Sequence, residues 1–275
     1  MPGLSAENSE GKTQTVRPPL LQEAPGGGRG QSAASAPLSA RGVLPKITKS
    51  IERGDGWRHG WLGLPGRGKS HAAIATVNWL LETNVADCVL VLDDKGRHPQ
   101  YDGTFRLNVA QLRVHPPEHD ENPGIIVFRG IGARVPASPT ELVGCTAEEI
   151  AAYAWELSLN PTEPVVVVVI DELLRAVKPG SFHWQGEALR RSFADGRGVG
   201  LSVMWTTQLL SRCPTEVTDL TETIGIFQLA GRSLDYAAER LKMPAHLLAV
   251  VEGLPHGHFI IWDLEVGWDG HVWKF

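Results

Sequence analysis

The sequence predicts an α/β domain on a mainly parallel sheet flanked by helices, with an antiparallel hairpin at its C-terminal end. Three observations predict it. The glycine-rich stretch Gly63-Leu-Pro-Gly-Arg-Gly-Lys-Ser70 stands between an apolar strand end and a helical pattern. Two runs, Asp87-Cys-Val-Leu-Val-Leu-Asp-Asp94 and Pro164-Val-Val-Val-Val-Val-Ile-Asp171, are apolar at consecutive positions, as strands buried on both faces are. From residue 57 onward, strand and helix patterns alternate.

The glycine-rich stretch fits G-x-x-x-x-G-K-[ST] without a mismatch. Trp61-Leu62 lead in as strand, and residues 71–82 follow as helix with Ile74, Val77 and Leu81 on one face. Glycines let successive N–H groups turn inward toward phosphate oxygens, and a helix N-terminus adds partial positive charge. Gly63, Leu64, Pro65, Gly66, Arg67, Gly68, Lys69, Ser70 and His71 are therefore expected to hold a nucleoside triphosphate. Lys69 suits the β- and γ-phosphates, and the Ser70 hydroxyl suits Mg²⁺.

Further along, Ile125-Ile-Val-Phe128 reads as a strand and Leu112-Arg-Val-His115 as a short one. Thr146-Ala-Glu-Glu149 is a capping box that starts a helix through Ile150, Ala154 and Leu157. The strand ending in Asp171-Glu172 carries both carboxylates to the sheet edge of the glycine-rich loop. Asp171 suits a Mg²⁺ role, and Glu172 is placed to polarise an attacking water. Residues 184–194 read as a helix, with Leu189 and Phe193 four apart. Leu201-Ser-Val-Met-Trp-Thr206 reads as a strand that ends in Thr207-Gln208. A helix near Pro214–Leu220, a strand at 223–229 and a helix at 234–242 come next. Strands at 258–263 and 270–275 close the chain as a hairpin turning through 267–269.

Composition narrows the class. Of 275 residues, 42% are hydrophobic and 21% charged, ordinary values for a globular chain. No apolar run reaches the ~18 residues of a membrane span, and the N-terminus lacks a signal-peptide pattern, so cytoplasmic residence is expected. A net charge of −5 excludes coating of nucleic acid through overall charge, while leaving room for local basic loops. Cys88, Cys145 and Cys213 form no metal or disulfide spacing and read as buried thiols. Residues 1–42, rich in Gly, Pro, Ser and Ala, read as a disordered tail, and 43–275 as one domain. The histidines, including His256-Gly-His258, read as surface or turn residues, and the tryptophans as core.

Three pieces together resemble the HerA/FtsK superfamily of P-loop DNA-translocating ATPases. They are Val89-Leu-Val-Leu-Asp-Asp-Lys-Gly96, the Ile170-Asp-Glu172 strand end, and Gly196-Arg-Gly-Val-Gly-Leu-Ser-Val-Met-Trp-Thr-Thr-Gln208. The likeness runs over about residues 43 to 275, through Phe227-Gln-Leu-Ala-Gly-Arg232 and the 257–263 strand. It implies a RecA-like sheet, ATP with Mg²⁺, a homo-oligomeric ring with a hexamer favoured, and double-stranded DNA as the partner. On this resemblance Gln208 reports the γ-phosphate, and Arg197 matches the arginine offered to a neighbouring subunit's ATP, with Arg232 in reserve. A solvated helix end is the plain alternative for Arg197. Arg175, Lys178, Arg190 and Arg191 are candidate DNA contacts, or solvated loop and helix charges.

Members that pump DNA at septa or in conjugation carry membrane helices, and others a winged-helix tail; neither pattern is found here. By that subtraction the chain looks most like genome-packaging ATPases of tailless, internal-membrane-containing double-stranded DNA viruses. A capsid vertex or portal-like protein would then be a partner, and the location host cytoplasm or virion. Competing readings are a DNA-transfer or DNA-processing motor of a plasmid or cell, a nucleotide-dependent phage assembly factor, and a P-loop kinase.

Overall fold

A computed structural model describes residues 38–39, 42–48, 55–93, 124–129, 145–159, 165–176, 183–184 and 186–275. These belong to one compact unit, Pro37–Phe275. Outside the described residues lie nearly all of the expected tail, the strand at 112–115, the Asp94-Lys95-Gly96 end of one motif, and Lys178.

Among the described residues ten strands form one sheet: β1 (Leu38–Ser39), β2 (Arg58–Leu62), β3 (Cys88–Asp93), β4 (Gly124–Arg129), β5 (Val166–Asp171), β6 (Ser202–Thr207), β7 (Thr223–Ile226), β8 (His258–Asp263), β9 (Gly267–Trp268) and β10 (Trp273–Lys274). Their order is β1-β10-β8-β7-β2-β6-β5-β3-β4, with β9 beside β8. From β7 to β4 every pairing is parallel. β8 then runs antiparallel to β7, and β9 and β10 antiparallel to β8. The fold is the mainly parallel α/β sheet that the sequence predicts.

The apolar runs are explained by two cores. Along β5, Val166, Val168 and Ile170 enter one core and Val167 and Val169 the other. Side chains alternate across a strand, so only a strand covered on both faces is apolar at every position. Each fully buried valine contributes about 2 kcal/mol of burial. One face is covered by α1 (Leu44–Ile47) and α2 (Lys69–Glu82), the other chiefly by α3 (Ala147–Ser158) and α4 (Glu187–Ala194). On α2 the buried stripe is Ile74, Val77 and Leu80, with Leu81 only partly covered.

The capping box forms as expected: Thr146 N donates to Glu149 Oε2 at 2.7 Å, and Glu149 N donates to Thr146 Oγ1 at 3.1 Å. The neighbouring Glu148 does a second job. Its carboxylate accepts from Ala188 N and Leu189 N at 2.8 and 3.0 Å, capping α4 from outside. Helix α4 therefore begins at Glu187, later than the expected 184. Gly186 leaves room for that carboxylate, because a Cβ there would collide with it.

Three further shifts have physical reasons. The β8–β9 turn falls at 264–266, where Asp263 Oδ1 accepts from Glu265 N and Val266 N, so Gly267 and Trp268 are already paired. The expected strand at 270–275 shortens to β10, which pairs with the start of β8 and carries β1 on its other side. Strand β7 stops at Ile226 rather than 229, and helix α6 (Arg232–Arg240) starts soon after. Helix α5 (Thr215–Leu220) lies between β6 and β7, and the connection from β7 to β8 contains, after α6, α7 (Ala245–Glu252), a helix the sequence reading does not contain.

Candidate active site

The parallel strands bring their carboxyl ends to one edge. Register places Leu62 opposite Thr207, and Asp93 opposite Asp171. The glycine-rich loop leaves β2 at this edge and enters α2 at Lys69. Its conformation needs glycine: Gly66 has φ +71° and Gly68 φ +115°, and a Cβ on Gly68 would stand 3.1 Å from the Phe227 ring. Beneath the loop Trp61, Phe227 and Phe259 pack with centroids 5.2 to 5.9 Å apart, a rigid apolar floor. Lys69 is 7% exposed and its Nζ donates to Leu64 O at 2.9 Å, which holds the ammonium across the loop.

Both acids are held by threonines at the end of β6. Ser70 Oγ donates to Asp171 Oδ1 at 3.2 Å, and Thr206 Oγ1 donates to the same oxygen at 2.9 Å. Thr206 Oγ1 also accepts from Glu172 N at 3.0 Å. Thr207 Oγ1 donates to Glu172 Oε1 at 3.0 Å and accepts from Leu209 N at 3.4 Å. Glu172 sits at φ +73°, a left-handed conformation that costs a non-glycine residue about 1–2 kcal/mol. Strain of this kind concentrates at functional sites, where surrounding contacts over-determine it.

A cavity of about 350 Å³ joins these parts, lined by the loop, by Lys69, Ser70 and His71, and by Glu172, Thr206, Gln208 and His256. Its size, its inward-turned loop and its buried cation suit a triphosphate. The Ser70 hydroxyl and Asp171 carboxylate, already in contact, suit a Mg²⁺ ion whose other ligands come from phosphate and water. Among the described residues no cluster of three or more His, Cys, Asp or Glu could hold a metal by itself.

Of the residues singled out by sequence, Lys69, Ser70, His71, Glu172 and Gln208 line this cavity, with Asp171 directly behind Ser70. Arg197 is elsewhere. It is exposed in a 3-10 turn, Gly196–Val199, at the opposite end of β6, about 20 Å of strand from Gln208. Arg232, at the start of α6 after β7, is exposed on the cavity's own edge. Arg190 is engaged by Glu187 at 2.7 and 2.9 Å, and Arg191 lies over Trp155 and near Asp195. Arg175 is exposed just beyond Glu172.

The sequence does not single out Thr206 or His256 as site residues, and Thr207 stands in it only as Gln208's neighbour. Thr206 and Thr207 were signalled by their place directly before Gln208. His256, read as a turn residue, reaches the cavity because β8 is antiparallel, so its start lies at the edge where the parallel strands end. Cys213 packs beside Thr207, and burial, with a lesser push from Glu172, raises its thiol to about 12, so it stays a neutral packing group.

No protein-family model matches the chain, and no curated protein sequence is similar to it. Solved structures are similar in fold. The genome packaging NTPase B204 from Sulfolobus turreted icosahedral virus 2, in complex with AMPPCP, superposes with a TM-score of 0.57 at 15% identity, covering 78% of this chain and 95% of B204. VirB4 of Thermoanaerobacter pseudethanolicus gives a TM-score of 0.55 at 12% identity, over 79% and 89% of the two chains. The chain therefore has the RecA-like fold of the P-loop ATPases, shared with B204 and VirB4 across most of its length.

Proposed function

We propose that this chain is an ATP-hydrolysing motor that moves double-stranded DNA from within a homo-oligomeric ring, and that its task is packaging a viral genome. One observation carries the reading. The glycine-rich loop, the Asp171–Glu172 pair and Gln208 converge on one cavity, while Arg197 stands at the opposite sheet edge, away from its own subunit's cavity. The fold shared with B204, a genome packaging NTPase, supports the viral task.

The chemistry follows from the geometry. The loop N–H groups and Lys69 bind and orient the phosphates. Ser70, with Asp171 behind it, would hold Mg²⁺, which would supply positive charge against the phosphates. Glu172 accepts a proton from water as the water oxygen bonds to the γ-phosphorus and the bond to ADP breaks. Gln208 faces the terminal phosphate and reports its loss to β6. Arg197 stabilises the equatorial charge of the neighbouring subunit's γ-phosphoryl group. No helix among the described residues is long and apolar enough to cross a membrane. A capsid vertex or portal-like protein would be the motor's partner in packaging.

The test is ATP turnover by the assembled oligomer with and without double-stranded DNA. Stimulation that falls steeply with salt is expected, because a few local cations must meet phosphates against a net charge of −5. A verified oligomer whose rate ignores DNA of every form would overturn the DNA-motor reading and leave the ATPase.

A further inference from the structure

Two hydroxyls at the end of β6 differ in where they face. Thr206 lines the cavity, whereas Thr207 is fully buried behind it. Thr207 Oγ1 has one proton and gives it to Glu172 Oε1 at 3.0 Å, and its lone pair accepts Leu209 N at 3.4 Å. Gln208 lies between these anchors and points into the cavity. One hydroxyl thus joins the carboxylate of Glu172 to the backbone on the far side of Gln208. The tether acts on a residue with little freedom: Glu172 is 9% exposed, sits at φ +73°, and has its own N–H fixed by Thr206.

We infer that Thr207 is a positioning residue that sets the Glu172 carboxylate in register with Gln208, so that the group taking the water's proton and the group facing the γ-phosphate move as one unit. The inference rests on Glu172 being the general base. With Oε1 engaged by Thr207, Oε2 is the oxygen left to face water. A shift of the 207–209 backbone, driven at Gln208 by the presence or loss of the terminal phosphate, pulls Oε1 with it. Binding is untouched, because Thr207 contacts neither the glycine-rich loop nor Lys69 among the described hydrogen bonds.

The experiment is a double-mutant cycle with a rescue. Thr207→Val keeps the side chain's shape and removes the hydroxyl. In the parental protein it should lower kcat about tenfold with the KM for ATP unchanged, as expected when a reacting group is misplaced rather than removed. Thr207→Ser, which restores the donor, should recover most of that loss. In a Glu172→Gln background, Thr207→Val should change the residual single-turnover rate less than twofold, since there is no base left to position. An equal loss in both backgrounds, no recovery with serine, or an unchanged kcat in Thr207→Val overturns the assignment. If Glu172→Gln alone turns over at the parental rate, it is the base assignment that fails, an outcome distinct from all of these.

Discussion

The two edges of the sheet are built on different principles. At the carboxyl edge, polar groups lie on consecutive or near-consecutive residues: Lys69-Ser70, Asp171-Glu172, Thr206-Thr207-Gln208. Their contacts run between neighbouring strand ends. At the amino edge, charge is inserted singly and far apart in sequence. Arg58, 2% exposed, donates Nε and Nη2 to Phe193 O and Ser192 O at 2.8 Å each, tying the start of β2 to the end of α4. The turn bearing Arg197 rests on that junction, with Gly56 N donating to Arg197 O at 3.1 Å. One edge carries the cavity, and the other carries Arg197, which on the proposed function serves a neighbouring subunit. The six residues of β6 separate them.

The largest effect should come from separating the edges genetically. Lys69→Ala should abolish ATP binding, measured by titration with a fluorescent nucleotide, since the ammonium facing the β- and γ-phosphates is gone. Arg197→Ala should bind normally and assemble, yet hydrolyse about 10³-fold more slowly, the loss typical of an arginine delivered in trans. Mixing the two variants should restore turnover, because interfaces pairing an intact Lys69 with an intact Arg197 then form. No recovery in demonstrably mixed rings would move the role to Arg232, which stands on the same edge as its own subunit's Lys69.

A smaller effect should appear at the amino edge itself. Burial, partly offset by Glu222, pulls the Arg58 guanidinium down to about 10, which leaves it charged at neutral pH. Arg58→Lys keeps a charge but cannot bridge two carbonyls with a planar fork. Urea denaturation should show a loss of roughly 2 kcal/mol, the scale of a buried charged hydrogen bond left unmade. Nucleotide affinity should stay parental, because β2 is unchanged where it enters the loop. Reduced affinity would show that the two edges are not independent.

The same contrast governs what the sequence reveals. The carboxyl edge was largely legible because its chemistry is local. A phosphate loop, a carboxylate pair and a Thr-Gln each occupy one short stretch whose residue types state their use. The parallel sheet was legible because burial on both faces removes polar residues from β3 and β5. The amino edge was not. Arg58 reads as an ordinary strand-start cation until α4 is folded against it, 134 residues later in sequence. Tertiary contacts also decided Glu148, which sits among helix-start acids yet caps another helix. Helix α7 carried a usable signal, Pro244 before it and Gly253 after it. Its apolar positions show weak periodicity, however, with only Leu247 and Val251 buried.

An effect of similar size that appears only at low pH, and is absent at neutral pH, lies in β2 between the edges. His59 is fully buried between Trp57, stacked at 5.2 Å, and Trp61, edge-on at 4.6 Å, with Nδ1 sharing a 2.7 Å hydrogen bond with Thr223 Oγ1. Its Nε2 has no hydrogen-bond partner among the described residues, so a protonated ring would carry a buried N–H without one. Burial accordingly lowers its pKa to about 3 from an ordinary 6.5. Below pH 6.5 the unfolded chain takes up a proton that the folded chain refuses, so stability falls as pH drops from 6.5 toward 3 and is whole above 6.5. At pH 5 this one residue should have removed about 2 kcal/mol, the linkage value for 1.5 pH units. His59→Phe keeps an aromatic ring between the tryptophans and deletes the titration, at some constant cost from Thr223. The unfolding free energy of the parent relative to His59→Phe, from urea denaturation, should therefore fall by that amount between pH 7.5 and pH 5. Parallel pH profiles would mean that the ring is solvated through an opening of β2, and that the strand joining the two edges is softer than its packing indicates.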